Sequence, residues 1–231
     1  MYMTSFSQKL LSYYKQLAAP QQLPTEVEVL NPYTHSRAFE YAQLFYEKYY
    51  NDTHQRTICF GINPGRFGAG VTGVPFTDPL LLQEACGIPN NLEKRSELSA
   101  RFIHEMIAAY GGCDLFFRNY YISAVSPLGY VRDGINLNYY DIKGFKTLFE
   151  IYVIEQIEIQ LDFGINTQTA YSIGKGQNIQ FLNYINQKKK FFNRIIPLPH
   201  PRWVMQYRLK RKDEFIQEYL TAFSKNETNV G

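Results

Sequence analysis

Thr57-Ile58-Cys59-Phe60-Gly61-Ile62-Asn63-Pro64-Gly65-Arg66-Phe67-Gly68 is the stretch on which the fold turns. Its first four residues form an apolar run that reads as a buried strand. The composition then changes abruptly. Residues 61–76 hold five glycines and two prolines in sixteen positions, too many to continue as helix or sheet. The backbone must turn sharply where the strand ends, and in open α/β sheets ligands sit outside the carboxyl ends of the strands. The turn carries one amide, Asn63, and one ring at its far end, Phe76.

Outward from this turn, strands and helices alternate. Residues 4–18 read as a helix with Leu10, Leu11, Tyr14 and Leu17 on one face. Pro20 to Pro24 ends it. Val27–Leu30 is a short extended piece, and residues 36–50 form an aromatic-rich helix. Downstream, 92–110 predicts a helix through Leu98, Phe102, Met106 and Ile107, stopped by Gly111-Gly112. Leu115–Phe117 and Tyr120–Val125 read as extended, up to Pro127. A helix over 139–162 and a strand at Thr169–Ile173 follow. Gly174-Lys175-Gly176 opens a helix to Asn186, Ile195–Leu198 is a last strand, and a helix over 203–223 closes the chain. This alternation predicts an α/β fold with three layers, α/β/α, around a mostly parallel sheet. No repeat or low-complexity linker divides the sequence, so 1–231 reads as one domain, with 1–30 as N-terminal helix and lead-in.

With 231 residues the chain can bury a sizeable core. Its 45% hydrophobic and 19% charged residues are a globular balance, not a disordered one. Aromatics reach 16%, and the 19 tyrosines suit wet binding surfaces as well as cores. A net charge of +3 is too mild to identify a nucleic-acid partner, which leaves local clustering to decide. Lys188-Lys189-Lys190 and the group Arg208, Lys210, Arg211 and Lys212 are such clusters. Cys59, Cys86 and Cys113 have no C-x-x-C spacing, so they predict no disulfide framework and fall short of a four-thiolate iron–sulfur centre. Met1–Pro20 is too polar for a signal peptide, and no apolar run reaches the ~18 residues of a membrane span. The expected compartment is a reducing cytoplasm.

The run Gly61-Ile62-Asn63-Pro64-Gly65-x-Phe67-Gly68-x3-Thr72-Gly73-Val74-Pro75-Phe76 resembles the first catalytic motif of the single-strand-selective monofunctional uracil-DNA glycosylases. The likeness runs from about Asn31 to about Met205. Asn31-Pro32-Tyr33 resembles that family's approach to its first long helix, and Ser99-Ala100-Arg101-Phe102 the start of its next. Phe116 to Leu128, ending Ser-Pro-Leu, resembles its second core strand, and Asn136-Leu137 follows as in the family. Ile173-Gly174-Lys175-Gly176 resembles its third strand-to-helix turn. His200-Pro201-Arg202 resembles the second catalytic motif, in a loop that touches DNA. The first motif is highly specific; the others are weak on their own.

The resemblance implies a uracil-DNA glycosylase-like fold and a monofunctional enzyme of base excision repair, of a variant bacterial-type subgroup. It implies a cytoplasmic, nucleoid-associated monomer whose partner is DNA with the damaged base flipped out, needing no metal or organic cofactor. N-glycosidic cleavage passes through an oxocarbenium-like sugar while negative charge moves onto the base. Asn63 and His200 are the expected catalytic pair. The Asn63 carbonyl can aim a water but is not a strong base, and His200 donates a hydrogen bond to the departing pyrimidine. Gly61, Ile62, Gly65, Phe67, Phe76 and Ala124 are the expected base-binding residues, with Phe76 stacked on the extruded base and glycines letting the backbone approach it. Gly174, Lys175, Gly176, Pro201, Arg202 and Trp203 are the expected DNA-binding residues. The first three offer a phosphate backbone N–H groups at a helix start. Arg202, Trp203 and Met205 form a tip able to fill the gap behind a flipped base.

Two departures qualify the likeness. Where the family reads the uracil edge with an asparagine, this chain has Ala124, which has no hydrogen-bonding side chain. Discrimination then falls to backbone groups or to Ser123, Ser126 or Asn119, and deaminated purines such as xanthine become candidate substrates. Arg202 also follows Pro201 directly, which shortens the loop. Two other readings stand beside the glycosylase: a DNA-damage-binding module that has lost catalysis, and an α/β enzyme binding a nucleotide phosphate. The latter lacks both G-x-G-x-x-G and a Gly-Lys-Ser/Thr ending.

Overall fold

The computed structural model describes residues 4–34 and 36–227, Ser36 and 225–227 by backbone alone; residues 1–3 of the expected lead-in lie outside the described residues. Helix α1 (Phe6–Gln16) opens with a capping box, in which Ser5 Oγ accepts from Gln8 N–H at 3.3 Å and Gln8 Oε1 accepts from Ser5 N–H at 2.9 Å. Strand β1 (Glu28–Leu30) and helix α2 (Ser36–Tyr50) lead to β2 (Thr57–Gly61), buried at every position. The glycine turn contains one helical turn of its own, α3 (Ala69–Thr72), and passes into α4 (Pro79–Glu84). Then come α5 (Leu98–Tyr110), α6 (Cys113–Asn119) and β3 (Tyr120–Ala124). Strands β4 (Gly129–Arg132) and β5 (Ile135–Leu137) form a hairpin, followed by a 3₁₀ turn at Tyr139–Asp141. Helix α7 (Phe145–Leu161), β6 (Thr169–Ile173), α8 (Gln177–Lys189) and β7 (Arg194–Leu198) follow. Helices α9 (Pro201–Tyr207) and α10 (Lys212–Glu227) complete the described residues.

The central sheet has the order β3-β2-β6-β7, and every pairing in it is parallel. Successive strand residues point to opposite faces, and Tyr120 and Tyr121 demonstrate both. The Tyr120 ring lies 4.5 Å from Phe223 of α10, and the Tyr121 ring 5.3 Å from Phe6 of α1. Helices therefore cover both faces, giving the three layers. A smaller antiparallel sheet, β1-β4-β5, sits apart from the first. Because the four central strands run the same way, Gly61, Ala124, Ile173 and Leu198 end at one edge, with Gly61 beside Ala124 and Ile173 beside Leu198.

Several expected elements are different in the fold. Leu115–Phe117 is helical, inside α6. A short apolar run suits a buried helix as well as a strand, and here Phe116 and Phe117 both bury against neighbouring rings. The helix expected over 92–110 begins only at Leu98. The helix expected over 139–162 is interrupted at Gly144, whose φ is +77°. The closing helix begins at Pro201 and breaks at Arg208, where φ is −136°. The β4–β5 hairpin was not anticipated, although Asp133-Gly134 is the pair a two-residue turn favours. Both residues have positive φ, +50° and +71°.

Candidate active site

The strand ends open onto a cleft of about 460 Å³, within the range of roughly 300–1,000 Å³ usual for small-molecule sites. Both expected catalytic residues, Asn63 and His200, line it. So do all six expected base-binding residues, from Gly61 on β2 to Ala124 on β3. Of the expected DNA-binding residues only Arg202 does; Gly174, Lys175, Gly176, Pro201 and Trp203 lie outside the lining.

The Asn63 amide is pinned. Its Oδ1 accepts from the Tyr139 N–H at 3.0 Å, and its Nδ2 donates to the carbonyls of Leu137 at 3.1 Å and Pro64 at 3.3 Å. A backbone N–H can only donate and a carbonyl only accept, so the amide's orientation is unambiguous. One Oδ1 lone pair is left for a water. The end of β5 and the turn after it thus fix the Asn63 amide, a role that residues 137–139 did not signal in sequence.

His200 is the N-cap of α9. Its Nδ1 accepts from the Arg202 N–H at 3.2 Å. That bond places the neutral ring's proton on Nε2. Burial, and then the charge of Arg202, lowers the His200 pKa to about 4. At neutral pH the ring is an uncharged N–H donor, able to polarise an oxygen and unsuited to shuttling protons.

Phe76 adopts φ +50°, a left-handed conformation that is uncommon for an aromatic residue. The turn is held by the buried Thr72 hydroxyl, which donates to the Thr77 carbonyl at 2.7 Å and accepts from the Val74 N–H at 3.2 Å. The strained residue lays its ring over the end of β2. A Cβ at Gly61 would stand 3.0 Å from Phe76 Cε2 and 3.3 Å from the Ser123 carbonyl. Phe67 also lines the cleft, and the Arg95 guanidinium lies 3.6 Å from its ring centroid.

Ala124 borders the cleft opposite Gly61. None of the three neighbours considered as edge readers offers a free side chain. Ser123 Oγ donates to Gln160 Oε1 at 2.5 Å, and Ser126 Oγ bonds the Tyr130 hydroxyl at 2.7 Å. Asn119 Nδ2 donates to the Tyr110 hydroxyl and does not line the cleft. The exposed Asn136 does line it, from β5.

The basic residues divide. Lys175 is paired with Glu218 at 2.7 Å. Gly176 starts α8 without a side-chain cap. Trp203 sits on α9 with its ring 5.6 Å from Phe215, and Met205 is buried, so Met205 is no part of an exposed tip. Lys188 and Lys189 pair with Glu150 and Glu158. They stand at the C-terminal end of α8, which begins beside the cleft and runs away from it, so the lysine cluster is at the far end of the sheet.

Glu97 was missed by the sequence reading. It lines the cleft just before α5, its N–H donating to Asp78 Oδ2 at 2.9 Å. Its carboxylate accepts from the Gly68 N–H. Burial, and then the Asp78 charge, raises its pKa above the ordinary value. A Cβ on Gly68 would overlap this carboxylate, so the glycine is what lets Glu97 brace the turn. The only signal was the charged run Glu93-Lys94-Arg95-Ser96-Glu97, which fell inside the helix expected over 92–110.

A family model described as the uracil DNA glycosylase superfamily matches residues 47–224. The chain is similar to the crystal structure of wild-type SMUG2 from Pedobacter heparinus, with 39% identity and a TM-score of 0.95, over 98% of this chain and 100% of that one. No curated protein matched.

Proposed function

Because this chain belongs to the uracil DNA glycosylase superfamily, we propose that its cleft receives a uracil swung out of DNA and cuts it from its sugar. The chain is a DNA glycosylase, an enzyme that hydrolyses N-glycosyl bonds. In this reading the flipped base stacks on Phe76, over the glycine end of β2. As the glycosidic bond lengthens, positive charge grows on the sugar and negative charge on the base. The neutral His200 Nε2–H meets the base oxygen, and its hydrogen bond strengthens as that oxygen becomes anionic. Asn63 Oδ1 holds the water that adds to the sugar. An amide does not remove the water's proton early, so the base must largely depart before the water attacks. Among the described residues no lysine lines the cleft, which favours direct hydrolysis over a Schiff base.

The observation that carries this reading is the pinned Asn63 amide, sharing a cleft with a neutral His200 and the Phe76 ring. Alkali cleavage of oligonucleotides carrying uracil, xanthine or hypoxanthine tests it, with Asn63→Ala as control. Uracil strands are expected to break. Asn63→Ala is expected to lose on the order of 10²-fold or more in single-turnover rate while still binding DNA. Full activity in that variant would remove Asn63 from the mechanism.

The substrate range is read as wider than uracil. Supporting this, position 124 carries a methyl group and its polar neighbours are engaged elsewhere. Xanthine shares uracil's carbonyl pattern and leaves readily as an anion, so it is the expected second substrate. Ala124→Asn should narrow the range, lowering the xanthine-to-uracil rate ratio. An unchanged ratio would mean that residue 124 does not read the base.

A further inference from the structure

Away from the cleft, Cys86, His104 and Cys113 converge. Cys86 follows α4, His104 lies in α5 and Cys113 begins α6. Their Sγ and ring-nitrogen atoms lie within 4.8 Å of one another. Cys86 and His104 are buried, and Cys113 is half-buried. A zinc ion at ~2.3 Å from sulfur and ~2.1 Å from nitrogen spaces tetrahedral ligand atoms about 3.5–3.8 Å apart, so a small inward shift would close the three around an ion.

The decisive observation is the tautomer of His104. Thr77 Oγ1 spends its one proton on the Pro75 carbonyl, at 3.2 Å. With that bond made, its 3.0 Å contact with His104 Nε2 is one in which the ring donates and the hydroxyl accepts. Nδ1 is then a bare lone pair. His104 is only 5% exposed, and Nδ1 has no oxygen or nitrogen partner among the described residues; the group it faces is the Cys113 thiol. A buried acceptor without a partner is costly. Here it belongs to the three-residue cluster, and its far nitrogen is fixed by a hydroxyl, as outer-shell partners fix metal-ligating histidines.

We propose that Cys86 Sγ, Cys113 Sγ and His104 Nδ1 bind one Zn²⁺ ion, with water as fourth ligand. Two thiolates and an imidazole suit a soft or borderline ion such as zinc. Binding releases the protons of whichever thiols are not already ionised, and no electrons move. The ion would tie α5 and α6 to the loop after α4. Through His104 and Thr77 it would also brace the residue next to Phe76. The site is independent of the base-excision reading and stands or falls without it.

The test uses the full chain, reduced and freed of metal, titrated with Co²⁺ as a spectroscopic stand-in and then with Zn²⁺. One equivalent of Co²⁺ should give thiolate-to-cobalt charge-transfer bands and the visible bands of a four-coordinate ion, which Zn²⁺ then bleaches. Cys113→Ser alters the least buried ligand and should fold normally by circular dichroism, while losing more than the ~100-fold in affinity that an outer-shell partner costs. Zn²⁺ should raise the Tm of the wild type and not of Cys113→Ser. Absence of thiolate–cobalt bands at one equivalent would overturn the proposal. So would bands unchanged in Cys113→Ser, or a Cys86–Cys113 disulfide that persists under reducing conditions in place of metal binding.

Discussion

His200 is tuned for one protonation state, and that has consequences in acid. An unfolded histidine takes up its proton near pH 6.5, whereas in the fold burial and Arg202 hold the ring neutral down to about 4. Between those values the unfolded chain binds the extra proton, so stability falls as pH falls. The loss is roughly 2 kcal/mol by pH 5 and roughly 3 by pH 4. Urea unfolding should show wild type losing this increment between pH 7 and 5, and His200→Gln escaping it. The neutral ring, the form proposed to act on the base, persists over that window. The single-turnover rate ratio of wild type to His200→Ala should therefore stay flat from pH 8 to 5; a step near pH 6.5 would mean that the ring titrates freely. Gly61 makes a second, steric prediction. A Cβ there would crowd the Phe76 ring at 3.0 Å, and the Ser123 carbonyl behind it cannot give way. The ring must move by a few tenths of an ångström, so Gly61→Ala should slow excision on the order of 10-fold with little loss of Tm.

The turn after β2 works because its hydrogen bonds close on themselves. Thr72 ties Val74 and Thr77 together from below, and Phe76 is held at φ +50° between them. Thr72→Val keeps the shape of the side chain and deletes the hydroxyl. It should cost about 1–3 kcal/mol, because the Val74 N–H and the Thr77 carbonyl are left buried and unpaired. It should also slow excision more than it weakens binding of undamaged DNA, since Phe76, the ring proposed to stack on the flipped base, is what shifts. Equal losses in binding and rate would make the turn a general support. The hairpin of β4 and β5 contributes from the other side, for the end of β5 and the turn after it supply two of the atoms that hold Asn63, the Leu137 carbonyl and the Tyr139 N–H, and Asn138 caps that turn.

Positive charge is distributed unevenly over the fold. Arg95 and Arg202 stand at the cleft, whereas Lys188 and Lys189 are paired with carboxylates at the opposite end of the sheet. If DNA is gripped at the cleft, Arg95→Ala and Arg202→Ala should each flatten the dependence of log affinity on log salt by about 0.7–0.9. Lys188→Ala and Lys189→Ala should leave that slope unchanged. Filter-binding or anisotropy titrations at several salt concentrations decide it. A loss of slope in the lysine variants would place DNA on the far face.

The sequence alone determined the elements whose signals are local. Strand 57–61, helix 36–50 and strand 169–173 have the bounds read from their apolar runs. Glycine-dense chain after a buried strand placed the site at the strand's carboxyl end, and the spacing from Asn63 to Phe76 marked the family. What the sequence left open depends on partners far along the chain. Arg56 would be read as a surface charge, yet it is fully buried, with Nε donating to the Phe117 carbonyl at 2.7 Å and two further nitrogens gripping Asp52. Phe116 and Phe117 could be strand or helix until the rings around them chose. Only β7 separates Lys188-Lys189-Lys190 from His200 along the chain, yet α8, antiparallel to its neighbouring strands, carries the lysines to the opposite end of the sheet. Glu97 reaches the cleft and His104 meets two cysteines only through the packing of α4, α5 and α6. Periodicity records which face of an element is apolar; it does not record which distant segment that face will meet, and two of the three polar groups that pin Asn63, from Leu137 and Tyr139, come from such a segment.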